Sequence, residues 1–347
     1  MSPSPNDTSA AEYTNASPPG KVDGNRFWAV VIGIDAYEAE TTLHGCVSDA
    51  TNFWQYLNTN LGVPPGRIEL LLGIHNTTPK KLLRRPGLDS IAATRTNIVD
   101  TLLGLSTNPQ IQHGDNIVIY FSGHGTFYQC KSHPEYKGDF AARVGSIEAL
   151  CPMDRNPRPA PGDAEKPVIP DISDREVSTI LTEVCRTKGH HITVILDCCF
   201  ASGATRDPLK GEGLGVPRMA EELDRSDTLI AGMFAAAERR LGELKTDDGS
   251  LRYGSISAGD WSADEGTHVA LAACNAYELA VEVKGAGEAT HYGVFTEALL
   301  HKLKEVGNSP GRLPTYLELI GDLPEIGAHQ NPMVVGTHMN DRLWYTV

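Results

Sequence analysis

The chain has 347 residues, of which 40% are hydrophobic and 7% aromatic, and its formal net charge is −14. This composition is typical of a globular protein and excludes a wholly disordered chain. The acidic charge argues against nucleic-acid and anionic-membrane partners, because both attract clustered lysine and arginine, and no apolar run reaches the ~18 residues of a membrane span.

The amino terminus and the cysteines indicate where the protein resides. Residues 1–24 are rich in Ser, Pro, Asn and Thr and contain no apolar segment of a secretory signal. We therefore predict a disordered amino-terminal tail and a protein of the cytoplasm or the nucleus that is not secreted. The seven cysteines are scattered and odd in number, which is typical of reduced thiols rather than of a disulfide framework.

Apolar patterns along the rest of the chain predict alternating strands and helices. In chain order we predict strand Phe27–Ile34, helix Cys46–Leu57, strand Arg67–Leu72, helix Asn97–Leu105, strand Asn116–Phe121, helix Asp174–Cys185 capped by Ser173, strand Ile192–Leu196, strand His268–Ala273, helix Val294–Leu303 and a last strand Asp341–Val347. Residues 127–170 are predicted to be mostly loop, and residues 205–266 a charged excursion outside the main sheet. The alternation predicts an α/β fold with a mostly parallel sheet and helices on both faces.

Two of the predicted strands end in residues that can perform nucleophilic catalysis. His124 follows one strand in FSGHG, and Cys199 follows another in ILDCCFASG. Each alone has a plainer interpretation, as a turn histidine or as a small buried hydrophobe. Because the chemistry of such sheets lies beyond the carboxyl ends of the strands, the two together predict a Cys–His dyad in which the imidazole activates the thiol.

Two aspartates accompany the predicted dyad. Asp197 lies two residues before Cys199, so both side chains project to the same side of an extended strand. Asp49 lies in GCVSDA at the start of a predicted helix, where an interaction with the helix dipole is the plainer role. As a pair near the nucleophile, they predict an acidic pocket that selects Arg or Lys through charge-assisted hydrogen bonds.

An ordered series of motifs resembles the caspase-like cysteine peptidases, and the metacaspase branch in particular. The motifs run from Phe27 to the carboxyl terminus and comprise FWAVVIGIDAY, LHGCVSDA, NIVIYFSGHG, EALCPMD, ITVILDCCFASG, HVALAACNAYELA, GVFTEALLHKL and QNPMVVGTHMNDRL. The resemblance implies a six-stranded, mostly parallel sheet flanked by helices. It also implies a large part at about 25–204, a linker at about 205–266 and a small part at about 267–347.

The resemblance also implies roles for single residues. Cys199 becomes the nucleophile that forms a thioester, His124 the base, and the amides of Gly125 and Cys199 the oxyanion hole. Cys46 and Ser122 match positions that line the acidic pocket. The implied substrates are proteins or peptides with Arg or Lys before the cleaved bond.

Further implications concern calcium and the segment after the nucleophile. Many metacaspases need calcium, and Asp154, Asp174 and Asp207 match its ligand positions. Arg175 replaces a further acidic ligand, and a cation there opposes a divalent ion. The family's common DSCHSG becomes DCCFASG, so that Phe200 stands where the family has histidine.

The linker is predicted to be a site of self-processing. A peptidase specific for basic residues can cut itself in this segment, which has eight basic residues: Arg206, Lys210, Arg218, Arg225, Arg239, Arg240, Lys245 and Arg252. The plainer interpretation is that linkers are commonly charged. The resemblance further implies a monomer and a role in regulated cell death or stress. Two other hypotheses stay open: a catalytically silent caspase-like module that binds partners, and hydrolysis of a non-peptide substrate.

Overall fold

A computed structural model gives the fold of the chain. It describes residues 22–37, 40–76, 78, 80–129, 146–156, 168–200, 215–220, 226–275, 278–285, 291–309, 311–326 and 330–346. Most of the predicted tail, residues 1–21, lies outside the described residues. Residues 24–26 form a turn of 3-10 helix in which Gly24 is buried, so residue 24 belongs to the folded part of the chain and not to the predicted tail.

The described residues form thirteen strands and seven α-helices. The strands are β1 (Phe27–Ile34), β2 (Ile68–Gly73), β3 (Ile91–Ala92), β4 (Asn116–Ser122), β5 (Gly125–Gln129), β6 (Ser146–Leu150), β7 (Ile172–Ser173), β8 (Ile192–Asp197), β9 (Val216–Pro217), β10 (Val269–Ala272), β11 (Val281–Lys284), β12 (His291–Gly293) and β13 (Met333–Val335). The helices are α1 (Cys46–Gln55), α2 (Lys80–Leu83), α3 (Arg95–Thr107), α4 (Asp174–Lys188), α5 (Ser226–Leu241), α6 (Val294–Asn308) and α7 (Tyr316–Gly321).

The main sheet has seven strands in the order β13-β10-β8-β4-β1-β2-β3, and all neighbours are parallel except β13. Side chains of β1 alternate between two cores, with Val30 and Ile32 in one and Ala29 and Val31 in the other. Helices α3, α4 and α5 complete the first core, and α1, α6 and α7 the second. This sandwich buries every residue of β1, which explains its unbroken apolar sequence.

The predicted α/β architecture is confirmed, with one strand more than the expected six. The additional edge strand β3 has only two residues, both exposed, so it leaves no apolar run in the sequence. The prediction of a last strand at Asp341–Val347 is wrong, because Trp344 and Tyr345 adopt positive φ angles of 57° and 52° in a 3-10 turn. A left-handed backbone cannot continue a strand, and β13 instead forms the edge.

Two smaller sheets flank the carboxyl end of the main sheet. The predicted loop at 127–170 contains β6 and most of β5, which form an antiparallel sheet with β7. The second small sheet has β11 in its centre. One neighbour is β9, which lies in the predicted linker, and the other is β12. Helix α5 packs its apolar side chains Ile230, Phe234 and Ala237 into the first core. The described residues of the segment predicted as an excursion, 205–266, contribute no strand to the main sheet. Within the described residues, no helix is both long and apolar enough to cross a membrane.

Candidate active site

The carboxyl ends of β4 and β8 bring the two predicted catalytic residues to one edge. These strands are parallel neighbours, and Ser122 pairs with Asp197 at their last positions. His124 and Cys199 each lie two residues beyond this pair, and their exposed fractions are 1% and 0%. The main chain at position 125 lies so close to that of Cys199 that a glycine is required there. A Cβ would lie 2.3 Å from the carbonyl oxygen of Cys199.

Hydrogen bonds fix the ring of His124 in one tautomer. Its Nε2 lies 2.7 Å from the carbonyl oxygen of Thr41, and a carbonyl oxygen can only accept, so Nε2 holds the hydrogen. Nδ1 is then the basic nitrogen, and it is buried without a hydrogen-bond partner in the described part of the chain. Burial lowers the pKa of His124 to about 4, which keeps the ring neutral near pH 7.

The thiol of Cys199 is held by the main chain of Ala280, just before β11. Its Sγ accepts a hydrogen bond from the amide of Ala280 at 2.9 Å and donates to the carbonyl oxygen of Ala280 at 3.1 Å. The adjacent Cys198 is buried, and burial raises its pKa, so that it stays a neutral thiol. The sequence therefore brings two cysteines to this edge, in clearly different surroundings.

The predicted acidic pocket contains the side chain of Arg218, a linker residue. Its guanidinium is fully buried; Nη2 lies 2.6 Å from Oδ2 of Asp49, and Nη1 lies 2.8 Å from Oδ2 of Asp197. Nη1 also donates to Oγ of Ser122 at 2.9 Å. The Cys46 thiol is buried beside the same guanidinium, and burial raises its pKa. The four residues predicted to line this pocket thus surround one arginine.

One main-chain donor and one side-chain donor orient the two aspartates toward the guanidinium. The amide of Gly293 donates to Oδ2 of Asp49 at 2.8 Å, and the hydroxyl of Thr296 donates to Oδ2 of Asp197 at 2.5 Å. Burial raises the pKa of Asp49, and the positive charge of Arg218 opposes that rise. The side chain of Asp49 therefore serves the pocket, although it lies in the first turn of α1.

Glu282 is a third acidic residue of the pocket that the sequence analysis missed. It is fully buried on β11, and its Oε2 lies 3.7 Å from Nη2 of Arg218. The amides of His44 and Gly45 donate to its two oxygens at 2.9 and 3.0 Å. The available sequence signal was a glutamate between two valines, since a charged residue in such a strand needs a buried partner.

The main chain of Arg218 occupies the position predicted for a substrate. Its carbonyl oxygen accepts hydrogen bonds from the amides of Gly125 and Cys199, both at 3.1 Å. Its own amide donates to the carbonyl oxygen of Ala280 at 3.0 Å, and Ala220 donates to that of Gly125 at 2.9 Å. An extended segment is therefore held on both sides, with one carbonyl oxygen between the two amides of the predicted oxyanion hole.

Two of the three residues predicted to hold calcium, Asp154 and Asp174, lie among the described residues. Oδ1 of Asp154 accepts from the amide of Arg95, and Oδ1 of Asp174 accepts from that of Arg175, both at 2.8 Å. In the described part of the chain, neither aspartate belongs to a group of three or more metal-ligating side chains. Asp207 lies outside the described residues.

Arg175 brings a permanent positive charge close to Asp174. Its guanidinium is buried and donates to the carbonyl oxygens of Ile256 and Ala258 at 2.7 and 3.1 Å. It also lies over the ring of Trp261 at 5.0 Å. Among the described residues, Asp154 and Asp174 thus do not supply the six to eight oxygen ligands, at about 2.4 Å, that calcium takes.

Comparisons with known proteins identify the family of the chain. A family model described as "Metacaspase, peptidase C14 domain" matches residues 28–208. The chain is 23% identical to Metacaspase-9 of Arabidopsis thaliana over 90% of this chain and 94% of that protein. It is 22% identical to Metacaspase-1 of Candida albicans over 95% and 67%, respectively. The crystal structure of protein GSU0716 from Geobacter sulfurreducens shares the fold, with a TM-score of 0.52 and 16% identity over 92% of this chain and 99% of that one.

Proposed function

The chain belongs to the metacaspase family of caspase-like peptidases, and on this premise we propose that it is a cysteine endopeptidase that cleaves proteins after Arg or Lys. The observation that carries the proposal is Arg218. Its guanidinium lies between Asp49 and Asp197 while its carbonyl oxygen accepts from the amides of Gly125 and Cys199. This is how a substrate with a basic residue before the cleaved bond would bind.

The proposed chemistry is nucleophilic catalysis by a Cys–His dyad. Nδ1 of His124 takes the proton of the Cys199 thiol, and the thiolate sulfur attacks the substrate carbonyl carbon. The two amides stabilise the negative charge that develops on the carbonyl oxygen. The tetrahedral intermediate then expels the amine, which receives the proton from His124, and leaves a thioester on Cys199. Water, deprotonated by His124, hydrolyses the thioester and restores the thiol.

The same arrangement supports self-processing in the linker. Of the basic linker residues, Arg218 has its side chain in the pocket and its carbonyl group beside the nucleophile. We therefore assign the Arg218–Met219 bond as the first bond cut. Before cleavage the linker fills the pocket and competes with other substrates. After cleavage the new carboxyl end at Arg218 can leave the pocket.

Matched fluorogenic peptides that end in Arg, Lys or Asp test the specificity. We expect cleavage after Arg and Lys, none after Asp, and no activity in Cys199→Ala. Cys198→Ala is the matched control, since that thiol is buried next to the nucleophile, and it should retain most activity. Cleavage after Asp would refute the pocket assignment. No cleavage by a chain whose linker has been cut would favour the catalytically silent module that binds partners.

Mass spectrometry of the incubated chain tests the cleavage site. We expect fragments that end at Arg218 and begin at Met219, absent from both Cys199→Ala and Arg218→Ala. Arg239→Ala is the control, because Arg239 is a basic linker residue exposed on α5, and it should give the same fragments as the native chain. First cleavage at another basic residue, with the bond after Arg218 intact, would contradict the assignment while leaving the proposed activity untouched.

A further inference from the structure

A histidine cluster lies at the edge of the main sheet opposite the candidate active site. It consists of His190, which lies just before β8, and of His338 and Asp341, which follow β13. One ring nitrogen of each histidine and a carboxylate oxygen of Asp341 all lie within 4.8 Å of one another. Among the described residues, this is the one group of three or more such ligands that are this close.

Both ring nitrogens of His338 face hydrogen-bond acceptors. Nε2 lies 3.0 Å from the carbonyl oxygen of Gly266, and Nδ1 lies 2.7 Å from Oδ2 of Asp341. The carbonyl oxygen requires a hydrogen on Nε2, so the lone pair of a neutral ring would point at a carboxylate. Nδ1 and Asp341 are therefore two metal-ligating groups that face each other, as two ligands of one ion would. A metal-bound histidine whose other nitrogen donates to a main-chain carbonyl is a common arrangement.

His190 supplies the second imidazole. Its ring is exposed and stacks on that of His338, with centroids 4.3 Å apart and planes 10° from parallel. An imidazole binds a metal through the lone pair of one ring nitrogen. Binding would therefore turn the exposed ring of His190 out of this stack and toward Asp341.

The donor set selects the class of ion. Two imidazole nitrogens and one carboxylate suit zinc and its neighbours in the transition series, whereas calcium and magnesium prefer oxygen donors alone. We propose that the histidine cluster is a binding site for a zinc-type divalent ion, held by His190, by Nδ1 of His338 and by Asp341, with water as the remaining ligand.

The proposed ion would join three segments that are distant in sequence. His190 precedes β8, Gly266 precedes β10, and His338 and Asp341 lie in the turn that follows β13. Its role would be to hold these segments together. One of them, β8, leads to Cys199 at its opposite end. The proposal does not depend on peptidase activity, because no residue of the histidine cluster lies at the candidate active site.

Cobalt and zinc titrations of the full chain test the site. All variants carry Cys199→Ala, which removes the catalytic thiol as a competing ligand. We expect the visible absorption of protein-bound Co²⁺ to saturate at one ion per chain and to disappear when Zn²⁺ is added. His338→Ala and His190→Ala should each weaken Zn²⁺ binding by about tenfold or more. His301→Ala is the control, because His301 is exposed on α6 away from the cluster, and it should bind as tightly as the parent.

Thermal unfolding with and without Zn²⁺ separates binding from damage to the fold. An ion that binds only the folded chain raises its Tm. We expect Zn²⁺ to raise the Tm of the parent and of His301→Ala but not that of His338→Ala. Circular dichroism of the metal-free variants verifies that they fold. Equal Zn²⁺ affinity in folded His338→Ala and in the parent, or no binding by the parent up to millimolar Zn²⁺, would overturn the proposal.

Discussion

Removal of one charge from the acidic pocket should abolish most cleavage after arginine. In Asp49→Asn the side-chain oxygen can still accept from the amide of Gly293, which donates at 2.8 Å. The variant loses the negative charge that lies 2.6 Å from Nη2 of Arg218 in a pair that is almost wholly buried. Truncating a buried, hydrogen-bonded charge pair costs roughly 2–5 kcal/mol.

The structure favours the lower part of this free-energy cost for Asp49→Asn. Asp197 still pairs with Nη1 at 2.8 Å, and Glu282 lies 3.7 Å from Nη2, so the guanidinium keeps two carboxylates. We therefore expect the lower part of the range, about 2–3 kcal/mol, which corresponds to a decrease in kcat/KM of roughly 30- to 150-fold.

Matched peptides with arginine or citrulline before the cleaved bond measure this effect. Citrulline has the shape of arginine without its charge, so Asp49→Asn should cleave the citrulline peptide as well as the native enzyme does. Asp100→Asn is the control, because Asp100 forms a half-exposed ion pair with Arg240, and such pairs contribute little. A decrease of less than threefold on the arginine peptide would refute the pocket assignment. Equal losses on both peptides would show damage to the site instead.

Three further predictions concern Glu282, calcium and pH. Glu282→Gln should lower kcat/KM for arginine peptides by about three- to tenfold. This loss is smaller than that of Asp49→Asn, because the 3.7 Å contact of Glu282 with Arg218 is longer. An unchanged kcat/KM would exclude a contribution of Glu282 to specificity. Chelation of calcium should leave kcat/KM within about twofold, since the buried Arg175 opposes a divalent ion beside Asp174; a tenfold rise on addition of millimolar calcium would show that an ion binds there. Burial and the charge of Asp174 raise the pKa of Glu148 to about 8, so its contribution to stability is complete below pH 4.5 and is lost as pH rises through 8. The free energy of unfolding, measured in urea, should therefore fall with rising pH in the native chain more than in Glu148→Gln. Between pH 5 and 8 the difference between the two chains should grow by at most ~1.4 kcal/mol per pH unit. A difference that stays constant with pH would contradict a raised pKa for this carboxyl group.

The position of Arg218 suggests how activity is controlled. The residue that fills the pocket belongs to the linker, and its carbonyl oxygen occupies both amides of the proposed oxyanion hole. An uncut chain is thus expected to be slow on peptides and to show a lag before full activity. Arg218→Ala should empty the pocket without cleavage, so the length of the lag separates occupation by the linker from other causes of delay.

The sequence by itself determined the fold class and the location of the site. The unbroken apolar run of β1 requires burial on both faces, and its alternation with α1 and β2 leads to a parallel sheet with helices on both sides. The parallel sheet brings His124 and Cys199 to one edge, because each residue lies just beyond the end of a strand. These inferences needed only local patterns and a general rule of topology.

The tertiary structure alone decided what fills the pocket. Local sequence does not distinguish Arg218 from the other basic residues of the linker, since its role depends on the pairing of β9 with β11. Glu282 is distant in sequence from His44 and Gly45 and contacts their amides only when β11 lies against the residues just before α1. The last strand was mispredicted for a similar reason, because burial of Trp344 against Phe27 imposes a turn on residues whose pattern is compatible with a strand. Contacts between distant segments depend on the packing of the whole domain, and no local pattern of residues encodes that packing.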